Sequence, residues 1–195
     1  MKKFENFVLT QPDQNVTATI GGEEKTVLFL KSGNGFCWYD AQKEFSDDTV
    51  KIQYDSDGII RAVVEKPVPE RGNVYAASML WPINASVAEI AVEDYPEGVQ
   101  LDGTWKFDGQ TVYRDADLLA EENLRINTRV RNRLAAEASL SITTLQAGIA
   151  LNRSAEGDAD ALAAWQGYLC DLRAINQNQL QQSPVAFPPA PVSIF

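Results

Sequence analysis

The sequence changes character near Arg114, and this change sets the order in which strands and helices can occur. Up to about Tyr113, glycine, aspartate and proline recur at short intervals between β-branched and aromatic runs, a pattern typical of short strands. Beyond that point proline is almost absent over a long stretch, and apolar residues recur at helical spacing. The sequence therefore predicts an α+β fold: a small β-rich amino-terminal domain of hairpins over residues 1–113, an antiparallel α-helical hairpin over 114–176, and an extended Pro-rich tail over 177–195.

The β-rich part is predicted to contain hairpins. Each joins two β-branched or alternating runs through a turn rich in glycine and aspartate. The predicted pairs are residues 49–54 with 59–64, residues 104–107 with 110–113 across a two-residue loop of Asp108 and Gly109, and residues 16–20 with 26–30. Residues 87–92 are predicted to form an isolated strand, and the stretch from Pro67 to Pro82 a long irregular connection.

Two helices are predicted in the second part. Between residues 117 and 152, apolar side chains are spaced by three, four or seven positions, which keeps them in one stripe. A break near residues 152–157 separates this helix from a second one that ends at about Ile175 and has Ser154 as its predicted N-cap. The solvated face of the first helix is predicted to carry an ion pair between Glu121 and Arg125. The stripe residues are Leu119, Ile126, Val130, Leu134, Ala138, Ile142, Leu145 and Ile149 in the first helix, and Leu162, Trp165, Leu169, Leu172 and Ile175 in the second.

Histidine is absent from all 195 residues, which removes the side chain most used for acid–base catalysis and metal binding near neutral pH. Ser-His and Cys-His catalysis and His-ligated zinc are therefore excluded. The two cysteines, Cys37 and Cys170, are too few for a four-thiolate metal site and too far apart in sequence for a CxxC redox motif. No cofactor or metal is predicted, and free thiols suit a reducing compartment.

The chain is acidic, with 17 Lys and Arg residues against 27 Asp and Glu residues and a net charge of −10. Up to Tyr113 there are 10 basic and 18 acidic residues, so most of the charge belongs to the β-rich part. This balance disfavours nucleic acid and anionic membranes as partners. No apolar segment follows Lys2 and Lys3, and no stretch approaches the roughly 20 apolar residues of a membrane span. The expected location is the cytoplasm.

Carboxylates are the only abundant acid–base groups that remain. A glycosidase would need two of them roughly 5 to 10 Å apart in a cleft, with one desolvated. Sequence adjacency supplies neither condition: Asp55 and Asp57 lie where a turn favours aspartate, and Asp158 and Asp160 lie where a helix start favours it. No catalytic residue is therefore predicted, and the chain is not expected to be an enzyme.

Surfaces for association are the remaining functional signal. Aromatic rings and a methionine in the β-rich part have broad apolar faces that suit a protein partner or a sugar ring, and in a small β domain they also serve as core. The helical hairpin has a single apolar stripe, which favours docking on the β domain or on another copy of itself. The predicted partner-binding residues are Trp38, Tyr39, Tyr75, Met79, Trp81 and Tyr95.

The order of several motifs resembles one family. The β-rich part contains Trp38-Tyr39, the run 48–55 with a glycine and an Ile-rich strand after it, and the run 105–109. The helical part contains the runs 134–138, 142–147, 151–156 and 162–168, followed by a Pro-rich end. In this joint order the chain resembles the tail fibre assembly proteins of Mu-like phages and prophages over roughly residues 30 to 190.

The resemblance implies a chaperone that helps the trimeric phage tail fibre fold and assemble. It implies binding near the distal tip of the fibre through the β domain, in the host cytoplasm during virion assembly. In some relatives the protein stays on the mature fibre at the virion tail tip and contributes to recognition of host lipopolysaccharide. The family offers no catalytic residues to transfer.

Three other functions remain open at this point. The first is a glycan-binding accessory that recognises the host surface directly. The second is a glycan-cleaving enzyme that uses two carboxylates, and the third is a purely structural subunit of the virion. Each differs from a chaperone in an observable property: sugar binding without fibre, catalytic turnover, or fixed stoichiometry in purified particles.

Overall fold

The computed structural model describes residues 1–11, 16–65 and 72–192 and has the predicted α+β composition, strands first and helices after them. The chain forms two compact units, Met1–Asp115 and Ala116–Phe195, called here the β-rich unit and the helical unit. The strands are β1 (Lys3–Thr10), β2 (Thr17–Ile20), β3 (Glu23–Thr26), β4 (Phe29–Lys31), β5 (Thr49–Tyr54), β6 (Ile60–Val64), β7 (Ala85–Ala91), β8 (Trp105–Phe107) and β9 (Val112–Arg114). The helices are α1 (Trp38–Ala41), α2 (Gly72–Ser78), α3 (Ala116–Ala150), α4 (Asp158–Ala174) and α5 (Gln177–Leu180).

The β-rich unit is built around a five-stranded antiparallel sheet in the order β4-β1-β7-β5-β6. The predicted hairpin of β5 and β6 is confirmed. The prediction of an isolated strand at 87–92 is wrong, because β7 is the central strand and pairs with both β1 and β5. Both faces of β7 are buried, which explains why its sequence does not alternate between apolar and polar residues; two of its buried side chains, Ser86 and Glu89, are polar.

Strand β1 was missed by the sequence pattern because a β-bulge interrupts its alternation. Phe4 and Phe7 are three residues apart, so a regular strand would place them on opposite faces. The register shifts between them, and Asn6 takes a positive φ of 55°. The extra residue turns both rings to the same face, where they are 7% and 0% exposed in one core with Trp38.

Two of the predicted hairpins form with different registers. β2 and β3 pair across Gly21 and Gly22 alone, both with positive φ, so the second strand begins at Glu23 rather than at residue 26. β8 and β9 pair Phe107 with Val112, which leaves a loop of four residues instead of two. Asp108 explains the longer loop, because its Oδ1 accepts hydrogen bonds from the backbone N–H groups of Gln110 and Thr111 at 2.8 and 2.7 Å.

The predicted irregular connection from Pro67 to Pro82 is corrected in its second half. Residues 67–71 lie outside the described residues, but α2 occupies Gly72–Ser78. Ala76, Ala77 and Leu80 are buried against the core that contains Trp38, so tertiary packing stabilises a helix that is too short to be recognised from periodicity.

The helical unit consists mainly of α3 and α4, which pack as a pair and are joined by residues 151–157. All five residues of the second predicted stripe and the middle part of the first belong to the core, while Ile126 and Ile149 near the ends of the first stripe are exposed. The N-cap prediction is wrong: Gly157, with φ of 91°, caps α4 in place of Ser154. The ion-pair prediction is also corrected, because Arg125 binds Glu122 at 2.5 Å and the two lie one turn apart.

The predicted extended tail begins with a short helix. Asn176 and Gln179 form a reciprocal capping box at the start of α5, which buries Leu180 in the core of the helical unit. Asn127 of α3 donates a hydrogen bond from its side chain to the carbonyl oxygen of Leu180 at 2.8 Å. Phe187 packs against the same core, so the tail is anchored as far as this residue.

Candidate functional site

The six predicted partner-binding residues lie in the β-rich unit, but in different environments. Trp38 is 0% exposed and makes edge-to-face contacts with Phe7 and Phe45, at ring-centroid distances of 5.1 and 6.3 Å. It is therefore a residue of the core. Tyr95 is half-buried and packs against a second core, on the other face of the sheet, together with Val99 and Trp105. Burial, with a smaller contribution from the negative charge of Glu65, raises the pKa of Tyr95 to about 12.

Tyr39 and Trp81 are exposed and lie together. Their ring centroids are 6.3 Å apart with an interplanar angle of 52°, and 38% and 37% of their surfaces are accessible. The Tyr39 ring also meets Phe29 at 5.5 Å, and its hydroxyl group donates a hydrogen bond to the carbonyl oxygen of Leu28 at 3.1 Å. Leu28 itself is largely exposed. These four residues, Leu28, Phe29, Tyr39 and Trp81, are called here the aromatic patch.

The local sequence explains why neighbouring tryptophan and tyrosine side chains take opposite roles. Trp38 and Tyr39 open α1, so successive side chains point about 100° apart around the helix axis. Trp38 and Ala41 share the buried face, while Tyr39 points away from the core toward β4. The exposed ring is oriented by its bond to the backbone of Leu28, which reduces the entropy that binding a partner would cost.

Tyr75 and Met79 lie on and just after α2. Both are exposed, because the buried face of this helix is formed by Ala76, Ala77 and Leu80. Met79 lines a groove of about 460 Å³ beside the last residues of β6, which is the edge strand of the sheet. This edge groove is lined by Val63, Val64, Glu65, Met79, Val99 and Leu101.

Sequence reasoning found Met79 but missed the other residues of the edge groove. Leu101 is 58% exposed in a loop that follows Tyr95, and Val99 lies in the same loop. An exposed leucine in a loop is common and carries no specific signal alone. Only the order of strands in the sheet brings this loop beside β6, and that order is not encoded in any local pattern.

Clusters that would support other chemistry are not found in the described part of the chain. Among residues 1–11, 16–65 and 72–192, no group of three or more cysteine or carboxylate side chains is placed to hold a metal ion. No described helix combines the length and apolar character needed to cross a bilayer. Asp55 accepts hydrogen bonds from the N–H groups of Asp57 and Ile59 and from Arg61, as expected for a turn residue.

The sequence of both units matches a class of phage assembly proteins. The family model described as Caudovirales tail fibre assembly protein, lambda gpK, matches residues 40–192 and so spans most of both units. The chain therefore belongs to the tail fibre assembly protein family, as the motif order predicted. This membership assigns it a role in phage tail fibre assembly, and the family is not a class of enzymes.

Individual relatives support the same assignment. The chain is similar to Tail fiber assembly protein U of Escherichia phage Mu, with 31% identity over 143 residues that cover 73% of this chain and 75% of the relative. It is similar to the Probable tail fiber assembly protein of Escherichia phage P2, with 30% identity over 143 residues and the same coverage of 73% and 75%. Tail fiber assembly protein U' of Escherichia phage Mu is 26% identical over 167 residues, which cover 85% of each chain.

Proposed function

We propose that this protein is a chaperone that binds the distal tip of a trimeric phage tail fibre through its β-rich unit and promotes folding of the fibre. The aromatic patch carries this proposal, because it is an exposed cluster of rings on the surface of a chain that belongs to an assembly family. The protein would act by binding alone, without catalytic turnover, in the host cytoplasm before the fibre joins the virion.

The physical need for such a chaperone comes from the topology of a trimeric fibre. Strands from three chains must meet in register before they can bury one another, which is a slow, non-local step. Until then, their edges and apolar faces are open to aggregation. A protein that covers these surfaces at one end lets the trimer form from that end. The acidity of the β-rich part would speed encounter with a basic fibre tip and select its orientation.

The six predicted residues are proposed to play different roles in fibre binding. Tyr39 and Trp81 are the anchors, because large aromatic side chains in exposed, preorganised positions usually carry most of the binding energy of an interface. Tyr75 and Met79 add exposed area around α2. Trp38 and Tyr95 support the surface from the core and contribute to binding only indirectly.

Replacing Tyr39 and Trp81 together with alanine is expected to weaken binding to the cognate fibre tip by about 30- to 700-fold, since each anchor contributes on the order of 1 to 2 kcal/mol. The measurement is co-purification, followed by titration, of the variant with a trimeric fragment that ends at the fibre tip. Tyr113→Ala is the matched control, because Tyr113 is also 38% exposed but lies on β9. Unchanged fibre binding by a double variant that unfolds normally would contradict the role of the patch.

The same exposed rings support a second candidate function, direct binding of a host-surface glycan. Aromatic faces stack on sugar rings, and Tyr39 and Trp81 present two such faces side by side. The chaperone proposal expects the purified protein to bind lipopolysaccharide only when fibre is present. Saturable binding of lipopolysaccharide by the isolated protein, lost in Trp81→Ala, would favour the glycan-binding function instead.

The helical unit is proposed to associate with a second copy of itself. Leu140 and Leu151 are 67% and 68% exposed, so apolar surface remains on and just after α3 although α4 packs against it. Helices in water bury such surface when a partner is available. Sedimentation velocity over a range of protein concentrations tests this proposal, and a monomer at every concentration would contradict it.

A further inference from the structure

We propose that the edge groove takes one extended segment of the tail fibre by strand addition, in which the backbone of the segment pairs with the outer edge of β6. This inference rests on the proposed function and specifies how one part of the fibre would be held. It assigns a second contact area to the β-rich unit in addition to the aromatic patch. The occupant is an apolar, extended polypeptide segment with a basic side chain opposite Glu65.

The backbone of β6 is available for pairing on one side. This strand is the last in the sheet order, and only its inner edge pairs with β5, from Lys51 opposite Val64 to Tyr54 opposite Ile60. In the described ranges, pairing on its outer side is limited to the bridge between Ile59 and Lys106, just before the strand begins. An edge strand with unpaired N–H and C=O groups is a template for another strand.

The groove lies at the edge of the sheet. Val63 and Val64 are neighbours in a strand, so their side chains point to opposite faces of the sheet. Val63 packs against the core that contains Phe107 of β8, and Val64 belongs to the core that contains Trp38. Because both residues line the groove, it follows the edge of the sheet rather than one of its faces.

The walls of the groove match the needs of an added strand. Met79 comes from the α2 side, and Val99 and Leu101 come from the loop after Tyr95. Met79 and Leu101 are 61% and 58% exposed, so apolar surface is available on both sides of the β6 backbone. The alternating side chains of an added strand would reach one wall and then the other.

The charge of the groove selects among occupants. Among the described residues that line the groove, Glu65 is the one with a charge, and it is exposed directly after β6. The β-rich part carries 18 acidic and 10 basic residues, so a second copy would bring further negative charge to this edge. A glycan would find few hydrogen-bonding side chains among three valines, a leucine and a methionine. An apolar fibre segment with one basic side chain would contact the apolar walls and pair with Glu65.

The test combines amide hydrogen exchange with charge variants of the groove walls, using the full chain and a trimeric fibre-tip fragment. We expect the complex to slow exchange of the amides in residues 62–65 by at least about tenfold relative to the free protein. Met79→Lys with Leu101→Lys is expected to reduce affinity by about tenfold or more, because it places two positive charges against the apolar side chains of a basic segment. Val92→Lys is the matched control, since Val92 is 56% exposed and outside the groove lining.

The outcomes separate this inference from the function on which it rests. A stable complex with unprotected β6 amides and a normally binding double variant would overturn strand addition while leaving the chaperone proposal standing. The absence of any complex with the unsubstituted protein would overturn both. Protection of β6 without fibre that rises with protein concentration would assign the groove to a second copy and overturn the fibre assignment. Protection that is lost in the double variant and kept in Val92→Lys supports the proposal.

Discussion

Replacing Glu89 with alanine is expected to destabilise the β-rich unit by about 3 to 5 kcal/mol, the usual cost of leaving one member of a buried charged pair alone. Glu89 is 4% exposed in the central strand and stands in register opposite Lys51, which is 0% exposed. Its carboxylate accepts hydrogen bonds from the backbone N–H groups of Lys2 and Ser46 at 3.0 and 2.7 Å and from the hydroxyl group of Thr49 at 3.2 Å. The substitution removes the charge that compensates Lys51 and leaves these donors without their acceptor.

The loss is expected to depend on pH because of Lys51. Burial lowers the pKa of this ammonium group, and the negative charge of Glu89 opposes the effect. A lysine whose pKa is lower in the folded state binds fewer protons there than in the unfolded state, so stability rises with pH between the two pKa values. Without Glu89 the pKa falls further, and this window widens toward neutral pH. The destabilisation should therefore be largest at the low end of the window and shrink as pH approaches the ordinary lysine value of about 10.4.

Urea unfolding at several pH values measures both effects, with Glu44→Ala as the control. Glu44 pairs with Lys2 at 3.0 Å, but 52% of its side chain is exposed, so its loss should cost less than about 1 kcal/mol. A double variant, Lys51→Met with Glu89→Gln, is expected to recover part of the stability, since it removes both buried charges and keeps a side-chain oxygen that accepts hydrogen bonds. Equal destabilisation by Glu89→Ala and Glu44→Ala would show that the buried cluster does not stabilise the unit in this way.

The elements recognised from sequence are those whose signal is local. The hairpin of β5 and β6 has alternating runs and an aspartate-glycine turn, and its pairing is confirmed. The change of texture near Arg114 marks a boundary that the structure places between Asp115 and Ala116. Strand β1 was missed because the bulge at Asn6 breaks the period of two, and α2 was missed because packing of its alanines stabilises it.

The candidate site was only partly accessible to sequence reasoning, for a related reason. Aromatic residue type indicates a side chain that buries large area, but it does not indicate whether the partner is the core or another protein. Trp38 and Tyr39 are adjacent in sequence and differ in exposure because helix α1 turns one inward and the other outward. The edge groove exists because β6 is the last strand of the sheet, and the order of strands is set by pairing between residues far apart in the sequence. Family resemblance supplied the biological role, which none of these patterns contains.

Trp38 and Trp81 are expected to differ in opposite directions in their effects on stability and on fibre binding. Trp38→Ala is expected to destabilise the β-rich unit by about 3 to 5 kcal/mol, because it empties a fully buried site between Phe7 and Phe45. Trp81→Ala removes a partly exposed ring and should cost about 1 kcal/mol or less. The order reverses for the fibre: Trp81→Ala should weaken binding by about 5- to 30-fold, and the folded fraction of Trp38→Ala should bind almost normally.

The distribution of tryptophans allows the two units to be followed separately in the full chain. Trp165 is the one tryptophan of the helical unit, and Trp38, Trp81 and Trp105 belong to the β-rich unit. Helical ellipticity reports mainly on α3 and α4, so Trp38→Ala should shift the fluorescence transition to lower urea while the ellipticity transition moves much less. Because a domain of this size has a total stability of about 5 to 15 kcal/mol, the loss predicted for Trp38→Ala is large enough to limit the supply of folded chaperone in a cell. A Trp38 variant that is stable yet fails to bind fibre would instead make this buried ring part of the interface, and would require the β-rich unit to open when the fibre binds.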